Sequence, residues 1–390
     1  MSSPTRWPLA KNFALLAAVA VLALMLLVWR AAPTAFDNYV FLADAWKHGR
    51  NWINFPGDWI DAMPYHGHAY IIEGPLPAIL LFPAVVFFGT NANQTLLDNF
   101  LGALSVYAAW RLCDRIGLDR LPALAATAFV FFGTSLFVCS TRGDVWMLGH
   151  VAGFCFSLLA LCETFGRKRP WLVAVWALAA AFSRLPFLAE LPFYLALLLH
   201  QSKRPKAILR SFSPPALAAL VLWAGYNWSR WGTLYDRGYE LFYRIMDVNS
   251  RANPAEFSLS YLPHQIAAYF WNAPKYIAGP PWIVPPLFGM NIICTSLPFV
   301  YALFAGIGFE TLVLWAATLA TAIPAFTYYG AGDVQYGARH ALDFEPFLFA
   351  LLVIALKRRP SRAMSIAMPA FAAFGLYEGL IWLLAPQLTQ

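Results

Sequence analysis

The chain has 390 residues, of which 60% are hydrophobic, 17% aromatic and only 12% charged. Soluble proteins carry roughly 25% charged residues, so this composition excludes a water-soluble fold, along with a disordered chain, a collagen-like repeat and a disulfide-stapled mini-domain. The net charge of +7 fits a basic excess on the cytoplasmic side and contacts with anionic lipid better than a nucleic-acid partner.

About 20 apolar residues cross the hydrocarbon core, fewer where neighbouring protein thins the bilayer. The first apolar run, 13–29, lies between Lys11 and Arg30. It exceeds the apolar part of a signal peptide, and Arg30 interrupts any cleavage site, so it reads as an uncleaved anchor. Further spans are expected at 95–112, 121–139, 146–165, 171–183, 186–200, 214–230, 287–304, 308–326, 344–356 and 363–384. The segment PLPAILLFPAVVFFG, 75–89, is apolar but holds Pro75, Pro77 and Pro83. If it does not cross, the basic residues at 6–11, 111–120, 167–169, 203–210 and 357–362 share one side, sixteen of 27 in all. If it crosses, that side keeps ten. The positive-inside rule favours the first arrangement. The expectation is therefore an all-α polytopic membrane protein, one transmembrane domain over 1–390. It has eleven spans, its N-terminus inside and its C-terminus outside, and 75–89 is a juxtamembrane helix.

Only Asp114, Asp119, Glu163 and Glu310 then sit near the inner face, and the other sixteen acids lie toward the outer one. Acids contribute little to insertion, so a reaction site on the outer face is the better explanation. Three outer segments could build it: 30–94, 231–286 and 327–343. The first carries Trp46, Trp52, Trp59, Asp37, Asp44, Asp58 and Asp61, and the second is aromatic and basic, with Tyr235 among its rings. Aromatic residues this deep inside loops suit stacking on sugars or headgroups more than an interfacial belt.

Asp37, in AFDNYVFLADAW, stands just above the first span, where partial desolvation would make it useful as a base; a solvated loop acid is the plainer alternative. Glu73 precedes Gly74-Pro75, where the helix dipole alone also favours an acid. Asp144, beside Arg142 in the tight turn STRGD, is a second candidate site carboxylate. Arg184 divides two short apolar segments and would face the recess they leave. Arg339 and His340, in QYGARH beside Tyr336, precede the tenth span, and Arg339 is suited to bidentate phosphate binding. Snorkelling to headgroups is the alternative for either arginine. His66-Gly67-His68 and His264 raise a metal question: no H-E-x-x-H or dense Cys/His set exists, and a divalent ion held by Glu73 with one of these histidines stays open. The five cysteines lack C-x-x-C spacing and read as small buried hydrophobes. Walker A, dinucleotide-binding and G-x-S-x-G motifs are absent from the sequence.

These parts, in this order, resemble the GT-C superfamily of membrane glycosyltransferases, which take sugars from polyprenyl-phosphate carriers. The closest likeness is to the bacterial branch with lipid A aminoarabinose transferases and, more remotely, protein O-mannosyltransferases. The resemblance rests on FDNY after the first span, EGPLP before the juxtamembrane helix, the basic turn WRLCDRIGLDR and the acid of TRGD. It continues through AAAFSRLP, then YNWSRWGTLYDRGY, like the family's N-x-x-R-F-G...G-Y, and finally YGARHALDFEPFLFAL, like its R-Y-x-L-P-x-x-P-F. The chain departs in lacking the soluble C-terminal domain of many relatives. It also has Gly74 where some carry Lys, and Phe344-Glu345-Pro346 in the late motif.

The resemblance implies a bundle of about eleven helices with periplasmic juxtamembrane helices, in the bacterial inner membrane. A polyprenyl-phosphate-linked sugar would be the donor, and a glycan, lipid or protein hydroxyl the acceptor. Asp37 would act as base in an inverting displacement, and Arg339 with Arg184 would stabilise the phosphate leaving group. Glu73 and Asp144 would orient substrates, and Arg142, Tyr235, Tyr336 and His340 would contact them. No cofactor is required, a divalent metal aside. The rival readings are an O-antigen-ligase-type transferase with a diphosphate-linked donor and a lipid or sugar transporter or flippase. The latter would call for matched halves and ionisable groups near the midplane.

Overall fold

The computed structural model describes residues 9–57, 59–245 and 256–389; Arg6 and Asp58 lie outside them. The chain opens with α1 (Leu9–Trp29), α2 (Asn38–Lys47), a hairpin of β1 (Ala62–Tyr65) and β2 (His68–Ile71), and α3 (Leu76–Phe88). The bundle continues through α4 (Gln94–Ile116), α5 (Arg120–Ala128), α6 (Leu136–Arg142), α7 (Val145–Thr164), α8 (Pro170–Ser183), α9 (Leu191–His200) and α10 (Pro205–Trp231). After α11 (Gly238–Ile245) and α12 (Leu262–Phe270) come β3 (Lys275–Tyr276), β4 (Ile283–Val284), β5 (Phe288–Met290), α13 (Ile292–Ser296) and α14 (Phe309–Thr327). The last elements are β6 (Gln335–Gly337), α15 (Glu345–Arg358) and α16 (Arg362–Leu384).

Among the described residues, five helices are long and apolar enough to cross a membrane: Asn12–Trp29, Val145–Thr164, Pro205–Trp231, Phe309–Thr327 and Arg362–Leu384. The bent pair α5 and α6 makes a sixth if it counts as one span. The eleven expected spans therefore include helices that are shorter or more polar, such as α8, α9 and α4, the last carrying Asp98, Arg111, Asp114 and Arg115. Burial separates centre from rim. The apolar window of α7 is 83% buried and that of α10 only 11%, so α7 is a core helix and α10 presents its leucines outward.

Two expected spans are not regular helices. The run at 121–139 passes through a π-helical turn at Phe129–Gly133, becomes extended at Thr134, and bends by 56° into α6. Thr134 makes this break tolerable, because its hydroxyl donates to Val130 O at 2.7 Å and accepts from Leu136 N at 3.2 Å. The run at 287–304 begins as strand β5, which pairs in parallel with β6 in the register Phe288↔Gln335 and Met290↔Gly337. It becomes helical only at α13, whose Asn291 cap accepts from Cys294 N at 2.9 Å, and then tightens into a 3₁₀ stretch at Leu297–Ala305.

The basic turns gather at one end of the bundle. Lys357 Nζ donates to Ile116 O at 2.5 Å, Arg115 packs against Gly166, and Gln201 donates to Glu310 at 2.8 Å. The loops after α1, α6, α10 and α14, and the α8–α9 junction, meet at the opposite end. There Gly143, at φ +73°, faces the Thr95 side chain, and a Cβ on it would come within 2.4 Å of Oγ1. Glycine is thus required twice over, by conformation and by space.

Candidate active site

Asp37 is the N-cap residue of α2, but its side chain makes no capping bond and meets no cation among the described residues. Its backbone is held from the neighbouring position. Phe36 O accepts from Val145 N at 3.1 Å and from Gln94 Nε2 at 3.1 Å, and the Phe36 ring packs on Trp146 at 4.7 Å. The carboxyl is half-buried, and desolvation raises its pKa to about 6.

Next to it, Asn38 Nδ2 lies 3.4 Å from both Glu73 Oε1 and Asp61 O. Glu73 is buried, its Oε2 has no hydrogen-bond partner among the described residues, and desolvation reinforced by the Asp61 charge raises its pKa to about 8. At neutral pH it is therefore a carboxylic acid, able to donate as well as accept. The expectation that Glu73 acts at the head of the juxtamembrane helix is refined here, because Pro75 holds the N-cap position of α3 and Glu73 stands outside it. Asp61 accepts from Trp146 Nε1 at 2.5 Å; burial raises its pKa, while that bond and the Arg339 charge oppose the shift.

Gly74 explains the departure from the family pattern. A Cβ there would lie 2.4 Å from Phe182 O and 2.6 Å from Ser183 O, so the backbone next to Glu73 rests directly on the end of α8. No lysine fits. Gly74→Ala is expected to destabilise the protein by roughly 1–3 kcal/mol, read as a lowered thermal midpoint in detergent, because backbone carbonyls cannot rotate away.

Prolines set the α8–α9 junction. Arg184 is extended at φ −150°, ψ 125°, two residues ahead of Pro186, and the next residues form a 3₁₀ turn. Arg184 pairs with Asp343, Nη2 to Oδ2 at 3.0 Å and Nε to Oδ1 at 3.4 Å, and Asp343 Oδ1 also faces His150 Nδ1 at 2.8 Å. Burial works to raise the Asp343 pKa, but Arg184 and His150 overcome it and hold the carboxylate well below its usual range. Arg339, four residues earlier, has no carboxylate within ion-pair distance among the described residues, and its Nε is buried without a partner. His340 Nδ1 lies 3.5 Å from Arg184 Nη2. Burial first, then His150 and the charges of Arg184 and Arg339, push its pKa well below the ordinary value, so its ring is neutral.

The remaining expected residues are placed as follows. Both Asp144 oxygens are engaged, Oδ1 by Thr34 Oγ1 at 2.5 Å and Oδ2 by Arg142 at 3.0 Å. The Arg142 guanidinium stacks over Trp29 and Trp382, each at 5.3 Å. Tyr336 is buried and donates to Gly375 O at 3.2 Å, which ties β6 to α16. Tyr235 is exposed in the turn after α10, and His264 is exposed on α12. His66 stacks on Tyr65 and His68 on Trp52 along the hairpin. Among the described residues no three His, Cys, Asp or Glu side chains converge as a metal site would require.

The string YNWSRWGTLYDRGY acts as a clamp. Arg230, buried, donates to Ile71 O at 3.0 Å and to Asn227 Oδ1 at 2.9 Å, and meets Asp236 at 3.5 Å. Asp236 Oδ1 also accepts from Trp231 Nε1 at 3.1 Å and Gly238 N at 2.9 Å. Ile71 ends β2 two residues before Glu73, so this clamp fixes Glu73 from α10.

Sequence reasoning did not single out Asp61 beyond naming it, nor Asp343, His150 or Trp146. One signal for His150 was present: an ionisable residue inside an apolar span is a site candidate by default.

Two crystal structures of the oligosaccharyltransferase of Archaeoglobus fulgidus share this fold. The apo form gives a TM-score of 0.52 at 12% identity, covering 96% of this chain and 56% of that one. The form tethered through a disulfide to an acceptor peptide with the NVT sequon gives 0.50 at 12% identity, covering 96% and 55%. The chain thus spans about half the length of these structures, and the likeness is one of fold alone. No protein-family model and no curated protein sequence matches the chain.

Proposed function

We propose that this chain is an integral membrane glycosyltransferase that moves a sugar from a polyprenyl-phosphate carrier to an acceptor hydroxyl. The observation that carries the reading is that one end of a GT-C-like bundle holds both a carboxylate without a capping bond or ion pair, Asp37, and a guanidinium without a carboxylate among the described residues, Arg339. Asp37 accepts the acceptor's proton as the hydroxyl attacks the anomeric carbon, and one displacement inverts its configuration. Arg339 stabilises charge developing on the phosphate leaving group. Protonated Glu73, steadied by Asn38, hydrogen-bonds a substrate hydroxyl. Asp144 and Arg142 shape the turn that carries Trp146, and Trp146 in turn holds Asp61.

The chain has eleven spans in this reading, with the basic end cytoplasmic and the reaction end facing the bacterial periplasm. The acceptor peptide tethered in the archaeal structure supports an acceptor partner, whether glycan, lipid or protein. A divalent ion is not required by these steps.

The test is transfer of labelled sugar from a polyprenyl-phosphate donor extracted with the protein and identified by mass spectrometry. Transfer should rise with pH through about 6, as Asp37 ionises, and fall through about 8, as Glu73 loses the proton it donates. Absence of any carrier-linked sugar, together with no transfer at pH 7, would overturn the reading.

A further inference from the structure

Asp343 joins three segments far apart in sequence: its own turn before α15, His150 on α7 and Arg184 at the α8–α9 junction. It is 1% exposed, and both its oxygens are taken. The bonds also fix proton positions. His150 presents Nδ1–H to an ionised carboxylate, and a guanidinium can only donate, so His340 offers Arg184 the Nδ1 lone pair and carries its own proton on Nε2.

The consequence for charge is specific. Of the four arginines placed above, Arg142 is paired with Asp144, Arg230 with Asp236 and Arg184 with Asp343, and only Arg339 among these four has no carboxylate among the described residues. We propose that Asp343 is a positioning residue that withholds Arg184 from the carrier phosphate, so that Arg339 alone holds it. This rests on the phosphate-carrier reading above. The donor is a phosphodiester with one negative charge, whereas the released carrier is a monoester carrying about −1.5 to −2. Two unpaired arginines would therefore grip the product more tightly than the donor. Such binding does not speed the chemical step and slows release.

The experiment measures binding of undecaprenyl phosphate to the purified full chain in detergent, with turnover followed alongside. Asp343→Asn keeps the shape but frees Arg184, and should bind about tenfold more tightly while steady-state turnover falls and the first turnover persists. A merely structural Asp343 would weaken binding instead. The charge-neutral double variant Arg184→Gln/Asp343→Asn should bind within about twofold of wild type, and it serves if the single variant does not fold. A tenfold loss in the double variant would make Arg184 a phosphate ligand and overturn the proposal. If wild type itself fails to bind undecaprenyl phosphate, the carrier reading falls. If wild type binds and Asp343→Asn binds no tighter, that reading stands and the withholding does not.

Discussion

Asp37→Asn is expected to lower sugar transfer by roughly 10²-fold or more while the protein inserts and folds as wild type. The folding half follows from the cap. Asn serves at an N-cap as well as Asp, and the Asp37 side chain makes no capping bond to lose. The catalytic half follows by comparing the carboxyls. Glu73, at about 8, is protonated at neutral pH, Asp61 is occupied by the Trp146 indole, and Asp144 has both oxygens bonded. Asp37, at about 6, is ionised at pH 7 and engaged by no side chain. A 10²-fold loss corresponds to about 2.7 kcal/mol of transition-state stabilisation, within the range of one well-placed base. Near-normal transfer by the purified variant would remove Asp37 from this role and turn attention to Asp61.

Arg339→Ala should cost about 10²–10³-fold in turnover, and Arg339→Lys distinctly less. Lysine keeps the charge but loses the fork that spans two phosphate oxygens; alanine loses both. Burial lowers the Arg339 pKa without removing its proton, and no carboxylate among the described residues competes for it. A partly buried cation without a carboxylate is costly to the fold, and an anionic substrate is the group that offsets the cost. Both variants should therefore remain monodisperse in detergent, and alanine should not lower the thermal midpoint. Equal and mild effects on turnover would mean that Arg339 only anchors lipid.

Apolar periodicity and charge made much of the bundle legible. The runs now seen as α1, α7, α10, α14 and α16 stand where hydropathy expects them, and the basic turns do gather at one end. Hydropathy could not reveal that 121–139 bends or that 287–304 begins as a strand, because composition is blind to where one threonine or an asparagine cap replaces the helical ladder. In the candidate site, Asp37, Glu73, Arg184 and Arg339 stood out in the sequence because a charge beside an apolar run is conspicuous. Asp343 and His150 were not, since their meaning lies in a contact 193 residues apart. The clamp string read as a motif but not as a function, and the contacts of Arg230 supply one: it holds a strand rather than a substrate.

In the proposed phosphate-carrier reading, the short α8 has a further consequence for how a carrier would meet this protein. Fourteen residues of α8 rise about 21 Å, against a hydrocarbon core of about 30 Å, so α8 stops short of the surface beside the longer α10 that packs on it. Each methylene drawn from lipid into water costs about 0.8 kcal/mol, which for a long isoprenoid exceeds any binding energy the headgroup could return. A helix end below the surface would remove that step: the headgroup would tip sideways over it toward Arg339 while the chain stays dissolved in the leaflet. Encounter then becomes diffusion within a plane, and the rate responds to the carrier's density in the membrane rather than to any aqueous concentration.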